Sequence, residues 1–217
     1  MKGDVIIIEE QHRQAAGKIV PHLLQKISAK TERYTISVGG ESGSGKSETG
    51  HAIAEELRKH GIQAIVLGQD DYFVLPPKSN DAKRREDPTW LGPHIEVKLE
   101  LLNQHLKDAI AGNEKLTKPL IDYDQNLIEE EEIDLHNIKV IVAEGTYTSL
   151  LKNVETKVFI TRNRLDTLEH RIKRNRGSEA SDPFIEQILE LEHKIIAGHK
   201  NLADFIITKD YDVIVVE

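Results

Sequence analysis

Gly40-Glu41-Ser42-Gly43-Ser44-Gly45-Lys46-Ser47 is the stretch that decides the fold. It fits the pattern Gly-x-x-x-x-Gly-Lys-Ser/Thr without a mismatch. A β-branched run, Thr35-Ile36-Ser37-Val38, stands before it, and a helical run beginning at Ser47-Glu48-Thr49-Gly50-His51-Ala52 follows. Each residue type has a physical reason. Glycines let successive backbone N–H groups turn toward one anion with no side chain in the way. The following helix aims its N-terminus, with its partial positive charge, at the same oxygens. Lys46 reaches β- and γ-phosphates, and the Ser47 hydroxyl is placed to ligate Mg²⁺. The expected ATP contacts therefore run through Gly40, Glu41, Ser42, Gly43, Ser44, Gly45, Lys46, Ser47 and the adjacent Glu48.

Outward from this loop, short apolar runs alternate with helical patterns. The runs are 35–38, 64–67, 140–142, 158–161 and 205–208; the helical patterns cover 10–29, 46–60, 95–111, 164–176 and 183–198. Continuous apolar runs suit strands buried on both faces of a parallel sheet. Alternation with helices predicts an α/β fold of three layers, with a mainly parallel sheet of about five strands. The runs Val5 to Ile8 and Val213 to Val216 are alike, and either extends a sheet edge. The stretch 71–94, with Pro76, Pro77, Pro88 and Pro93, reads as a long loop or small insertion. Glu129-Glu130-Glu131-Glu132 reads as a solvated turn before Ile133.

In open α/β sheets, ligands sit at the carboxyl ends of strands. Two acidic sites follow expected strands: Gln69-Asp70-Asp71-Tyr72-Phe73 after 64–67, and Glu144-Gly145-Thr146-Tyr147 after 140–142. Carboxylates there hold Mg²⁺ or accept the proton of an attacking hydroxyl, although acids at strand ends also serve as caps and turn residues. Asp71 competes with Asp70 for the base role, because neighbouring side chains diverge at a strand end.

Composition narrows the field. The 217 residues are 30% charged and 38% hydrophobic, as in ordinary globular proteins. A net charge of -8 argues against a broad nucleic-acid surface. No cysteine is present, so disulfides, thiol nucleophiles and cysteine-ligated zinc are excluded. No run approaches the ~20 apolar residues that span a bilayer. The opening MKGDVIIIEEQ does not read as a signal peptide, so the cytoplasm is the expected location and no membrane partner is expected. The ten histidines show no metal-ligand spacing and read almost all as surface or capping residues.

The order of GESGSGKS, GQDDYF, VIVAEGTY, a basic helix and LADFIIT resembles the uridine kinase and phosphoribulokinase family of P-loop kinases over residues 33–208. The resemblance implies one P-loop kinase domain over 1–217. Its nucleotide-binding core would be 31–70 and 136–217, its acceptor region 71–135, and its small helical lid about 164–182. It implies transfer of the γ-phosphate of ATP to a hydroxyl of a nucleoside, sugar or sugar phosphate. Asp70 falls on the family's base and Glu144 on its acidic position near Mg²⁺, with Ser47 as the second metal ligand. Arg171 and Arg174 fall on the phosphate-contacting arginines of the lid helix, though a basic run of this kind is also the mark of a solvated face. Two departures touch specificity. Where nucleoside kinases of the family carry an aromatic and a histidine, this chain has Ile121 and Asn126; its lid also looks shortened.

The expected mechanism uses Lys46 on the phosphates, Asp70 as base, and Arg171 and Arg174 on the transferring group. Tyr72, Asp87 and Tyr123 are the candidates for the small-molecule acceptor pocket. Lys83-Arg84-Arg85 reads either as a solvated loop or as a seat for an acceptor that already carries phosphate. Trp90 reads as a packing anchor or a stacking surface. A homo-oligomer is compatible with these features. Rival readings are a P-loop switch, which lacks an Asn-Lys-x-Asp motif here, a non-catalytic nucleotide-binding module, and a P-loop toxin kinase acting on a sugar nucleotide.

Overall fold

The computed structural model of the protein describes residues 1–3, 5–166 and 182–216. Its centre is a six-stranded sheet in the order β2-β5-β1-β6-β7-β8. The strands are β1 (Tyr34–Gly40), β2 (Ala64–Gly68), β5 (Val140–Glu144), β6 (Thr156–Ile160), β7 (Phe205–Ile207) and β8 (Val213–Val215). The pairings from β2 through β7 are parallel, and β8 closes the edge antiparallel to β7. The sheet thus has one strand more than the five expected. The 213–216 run supplies it, whereas Val5 to Ile8 forms no strand.

β5 shows how the layers form. Val140 and Val142 join one buried cluster, and Ile141 and Ala143 join the other. Successive side chains leave a strand on opposite faces, so a strand apolar at every position must be covered on both sides. One cover is α1 (Glu10–Ser28) with α2 (Lys46–Lys59), through Ala15, Ile19, Leu23, Ile53 and Leu57. The other includes α4 (Leu99–Ile110), through Leu102 and Leu106.

The stretch 71–94 differs from the expected loop. Gln69–Tyr72 is a 3₁₀ turn, Pro77–Glu86 is helix α3, and Pro88–Trp90 is a second 3₁₀ turn. Pro77 starts α3 and Pro88 the second turn, since a first-turn position needs no N–H donor. The Glu129–Glu132 tract is also corrected: it lies inside β4 (Leu127–Asp134), paired antiparallel with β3 (Lys115–Asp122) in a separate two-stranded sheet. Cross-strand ion pairs absorb its charge, Lys118 with Glu131 at 3.1 Å and Lys115 with Glu132 at 2.7 Å. Helix α5 (Pro183–Ile196) follows 167–181; most of the expected lid, with Arg171 and Arg174, lies outside the described residues. Among the described residues, no helix is long and apolar enough to cross a membrane.

Candidate active site

The sheet register assembles the site. β5 lies between β2 and β1, and Glu144 at its end is level with Gly68 on one side and Val38 on the other. Asp70 follows β2 within two residues and the phosphate loop follows β1, so one sheet edge collects all three.

The loop has the conformation its glycines allow. Gly45 sits at φ 95° just before α2, and a Cβ there would come within 2.3 Å of the Tyr211 hydroxyl oxygen. Lys46 is nearly buried, and its ammonium donates to the Glu41 carbonyl at 2.8 Å. Ser44 Oγ is buried with no hydrogen-bond partner among the described residues. A loop lined by N–H groups, a lysine and an unpartnered hydroxyl fits a polyphosphate. Glu48 is buried in the first turn of α2, where its charge helps raise the pKa of Glu144.

Ser47 Oγ donates to Glu144 Oε2 at 3.1 Å. Burial, then the Asp70 charge, pushes the Glu144 carboxyl up to about 7, against Lys46 and the Ser47 bond. A hard divalent cation would relieve that pressure, and a carboxylate with a hydroxyl is the oxygen donor set Mg²⁺ accepts alongside phosphate and water. Among the described residues, no group of three or more His, Cys, Asp or Glu side chains could hold a metal by itself. The residues present therefore fit Mg²⁺ that arrives with a nucleotide.

The two neighbouring aspartates part company. Asp71 is buried; it pairs with Lys118 Nζ at 2.7 Å and accepts the Ile121 N–H at 3.0 Å. Asp70 has no hydrogen bond or ion pair among the described residues, and it faces two cavities. One, of about 590 Å³, also meets Ser47, Gly68 and Glu144. The other, of about 360 Å³, meets Phe73, Asn80, Arg84, Arg85 and Tyr123. Gly145, at φ 154°, makes this arrangement: a Cβ there would come within 2.3 Å of Gln69 Cβ, in the turn that carries Asp70.

Of the acceptor candidates, Tyr123 lines the smaller cavity with Asp70. Tyr72 is corrected: it is fully buried in the second core, and its hydroxyl bonds His105 Nδ1 at 2.9 Å instead of facing the cavity. Asp87 does not line the cavity either; it accepts the Thr89 N–H and caps the 3₁₀ turn. Trp90 is an anchor, its indole N–H donating to Asn80 Oδ1 at 2.7 Å. Ile121 is buried, and Asn126 ties the β3–β4 turn to α3 through the Lys78 N–H and Ser79 Oγ. His12, His105 and His199 are buried, against the expectation of surface positions; His12 Nδ1 does serve as a cap for the Glu9 N–H.

Five residues beside the loop escaped the sequence reading. Glu192 of α5 is buried and accepts from Ser42 twice, from N–H at 2.8 Å and Oγ–H at 2.9 Å. Burial raises its pKa, against the Lys46 charge and the Ser42 bonds. The next residue, His193, places Nδ1 2.5 Å from Glu41 Oε1, and Glu41 Oε2 accepts the Arg164 N–H at 2.7 Å. Tyr211 donates its hydroxyl to the Ser44 carbonyl at 3.2 Å, and the Arg162 guanidinium lies 5.3 Å from its ring centre. The contacts to the loop itself bridge more than a hundred residues of sequence, and no local pattern announces them.

Comparison with known proteins fits this geometry. Residues 35–207 match the model of the Phosphoribulokinase / Uridine kinase family. The bifunctional alpha-galactosidase/sucrose kinase AgaSK of Mediterraneibacter gnavus is 31% identical over 83% of this chain, which spans 20% of that longer protein. A uridine kinase of Ureaplasma parvum is 28% identical, over 67% of this chain and 72% of its own length. The structure of a D-glycerate 3-kinase from Cryptococcus neoformans var. grubii superposes with a TM-score of 0.64 at 15% identity, over 96% of this chain and 99% of that one, and shows the same fold. The chain belongs to the phosphoribulokinase/uridine kinase family of P-loop kinases.

Proposed function

We propose that the chain transfers the γ-phosphate of ATP to a hydroxyl of a small metabolite, with Asp70 as general base and the cytoplasm as its place of action. The observation that carries this reading is the contrast between the two aspartates. Asp71 is bound to Lys118 and the β3 backbone, while Asp70 faces both the cavity of Ser47 and Glu144 and the cavity of Tyr123 and Arg84. A base between a phosphate site and an acceptor site is the arrangement phosphoryl transfer needs.

Each residue then has a role. The backbone of 40–47 holds the ATP phosphates, and Lys46 leaves the Glu41 carbonyl to meet them. Ser47 and Glu144 would hold Mg²⁺, which supplies positive charge for the phosphate oxygens. Asp70 orients the acceptor hydroxyl and accepts its proton as the oxygen attacks phosphorus and ADP leaves. Arg171 and Arg174 neutralise the transferring group. Residues 71–135 form the acceptor region, with Tyr123 on its wall.

The test is an ADP-release assay over nucleosides, pentoses, hexoses, disaccharides and sugar phosphates, followed by mass analysis of the product. ADP with a phosphorylated acceptor supports the reading. Nucleotide binding with no acceptor-dependent turnover supports a switch or a non-catalytic module instead.

A further inference from the structure

We infer that the acceptor is an uncharged polyhydroxylated molecule, a free sugar or nucleoside, and that phosphorylated or carboxylated acceptors are excluded by the charge arrangement of the smaller cavity. This rests on the kinase reading above and narrows it.

The basic tract beside the cavity is already matched. Arg84 donates its Nε to Glu96 at 2.7 Å and brings a second nitrogen to the same oxygen at 2.7 Å. The Glu96 side chain is fully buried and also accepts from Asn80, the Gly92 N–H and the Tyr147 hydroxyl. Drawing Arg84 to a ligand phosphate would strip a buried carboxylate of its counter-charge, a strongly unfavourable exchange. Arg85 is held twice, by Asp81 at 2.9 Å and by Asp182 at 2.7 Å, and its guanidinium lies 4.3 Å from the centre of the Phe184 ring. Lys83 does not line the cavity and pairs with Glu86 at 3.8 Å. Lys78 remains, exposed, with its ammonium on the Asp124 carbonyl at 3.3 Å.

Of the carboxylates on this wall, Asp81 and Asp182 are matched by Arg85, and Asp70 alone has no ion pair among the described residues. A phosphate or carboxylate entering here would meet the Asp70 carboxylate and, among the described residues of the wall, no arginine free of a carboxylate partner. Like charges so placed cost several kcal/mol in recognition. Hydroxyl groups have no such difficulty, because they donate to the Asp70 carboxylate. Phe73, Pro77, Tyr123 and Ile185 add the apolar and aromatic surface on which the C–H face of a sugar packs.

The experiment uses matched pairs: ribose, fructose, sucrose and uridine, each beside its monophosphate ester, with glycerate as the carboxylate. For the full chain with ATP and Mg²⁺, we expect at least one uncharged compound to exceed its ester by about 10² in kcat/KM. An ester or glycerate used as well as the uncharged compounds would overturn the inference. In a D81N/D182N double variant, Arg85 loses both partners, and the ratio should move toward the ester by about tenfold. An unchanged ratio would overturn the assignment of selectivity to these pairs. Calorimetric binding of the same pairs separates this inference from the kinase reading. An uncharged compound that binds without being phosphorylated, while its ester fails to bind, retains the inference and removes the transfer chemistry. Absence of binding by every uncharged compound at millimolar concentration overturns the inference itself.

Discussion

The proposed nucleotide side and the proposed acceptor side of this protein are built on different principles. The nucleotide side is a local device. Strand, five-residue loop (41–45) and helix follow one another in sequence, and backbone N–H groups would do most of the binding. The acceptor side is assembled from pieces far apart: Asp70, α3, the β3–β4 turn and the start of α5, fastened by Arg85 to Asp182 and Lys78 to Asn126. The difference teaches where change is tolerated. A local device of backbone amides must keep its glycines, whereas a wall of side chains from four elements can be refitted one residue at a time.

The sharpest way to break the comparison is Lys46→Ala. The lysine donates to one carbonyl and supports no core residue, so the fold should survive while turnover falls by about 10⁴-fold. Retained turnover in a folded variant would remove the loop from the chemistry. Next comes the aspartate pair. Asp70→Asn should lower transfer by roughly 10²–10⁴ with nucleotide affinity unchanged. Asp71→Asn should act on stability instead, by about 3 kcal/mol, because Lys118 is buried against it. Denaturant melts beside single-turnover rates separate the two; the reverse pattern would place the base one residue along.

The same contrast decides what could be read from the residues. The phosphate loop, the sheet strands and the acids at their ends were legible because glycine spacing and apolar runs act over a few residues. The β3–β4 hairpin was not. Ile128 and Ile133 are an odd number of positions apart, so no alternation marks β4, and its glutamates look like a solvated turn until Lys115, Lys118 and Lys2 are placed opposite them. The one local signal was Asn126, whose φ of 56° suits an asparagine in a tight turn. α3 was hidden by prolines that begin it instead of breaking it. Glu192 and Tyr211 reach the loop only through the tertiary fold.

A smaller effect sharpens the nucleotide side. The Glu144 carboxyl is raised to about 7 by burial and by Asp70, so in the free protein it is largely protonated below that pH. Metal binding needs the ionised form. Mg²⁺-dependent nucleotide affinity should therefore climb about tenfold per pH unit up to pH 7 and level off above it. Glu144→Gln should flatten the profile. A wild-type profile already flat from about pH 5.5 to 8 would show that Glu144 is ionised throughout.

The smallest expected effect concerns Tyr72, which the GQDDYF motif brings within two residues of the proposed base. Sequence proximity suggests an acceptor contact, and packing denies it. The ring is fully buried among residues such as Leu102, Leu106 and Tyr147, and burial raises its hydroxyl pKa. That hydroxyl meets His105 Nδ1, whose own pKa burial lowers, so a neutral imidazole and a neutral phenol share one hydrogen bond. Tyr72→Phe keeps the ring and removes the bond, leaving a buried nitrogen without a partner. The loss should be about 1 kcal/mol of stability, read as a lower melting temperature. KM for the acceptor and the single-turnover rate should stay within about twofold of wild type, since Tyr72 lines neither of the cavities that Asp70 faces. An acceptor KM raised about tenfold at unchanged stability would bring Tyr72 out of the core and into the site. Asp70 would then share its work with the residue two positions along, and the acceptor side would prove as local a device as the phosphate loop.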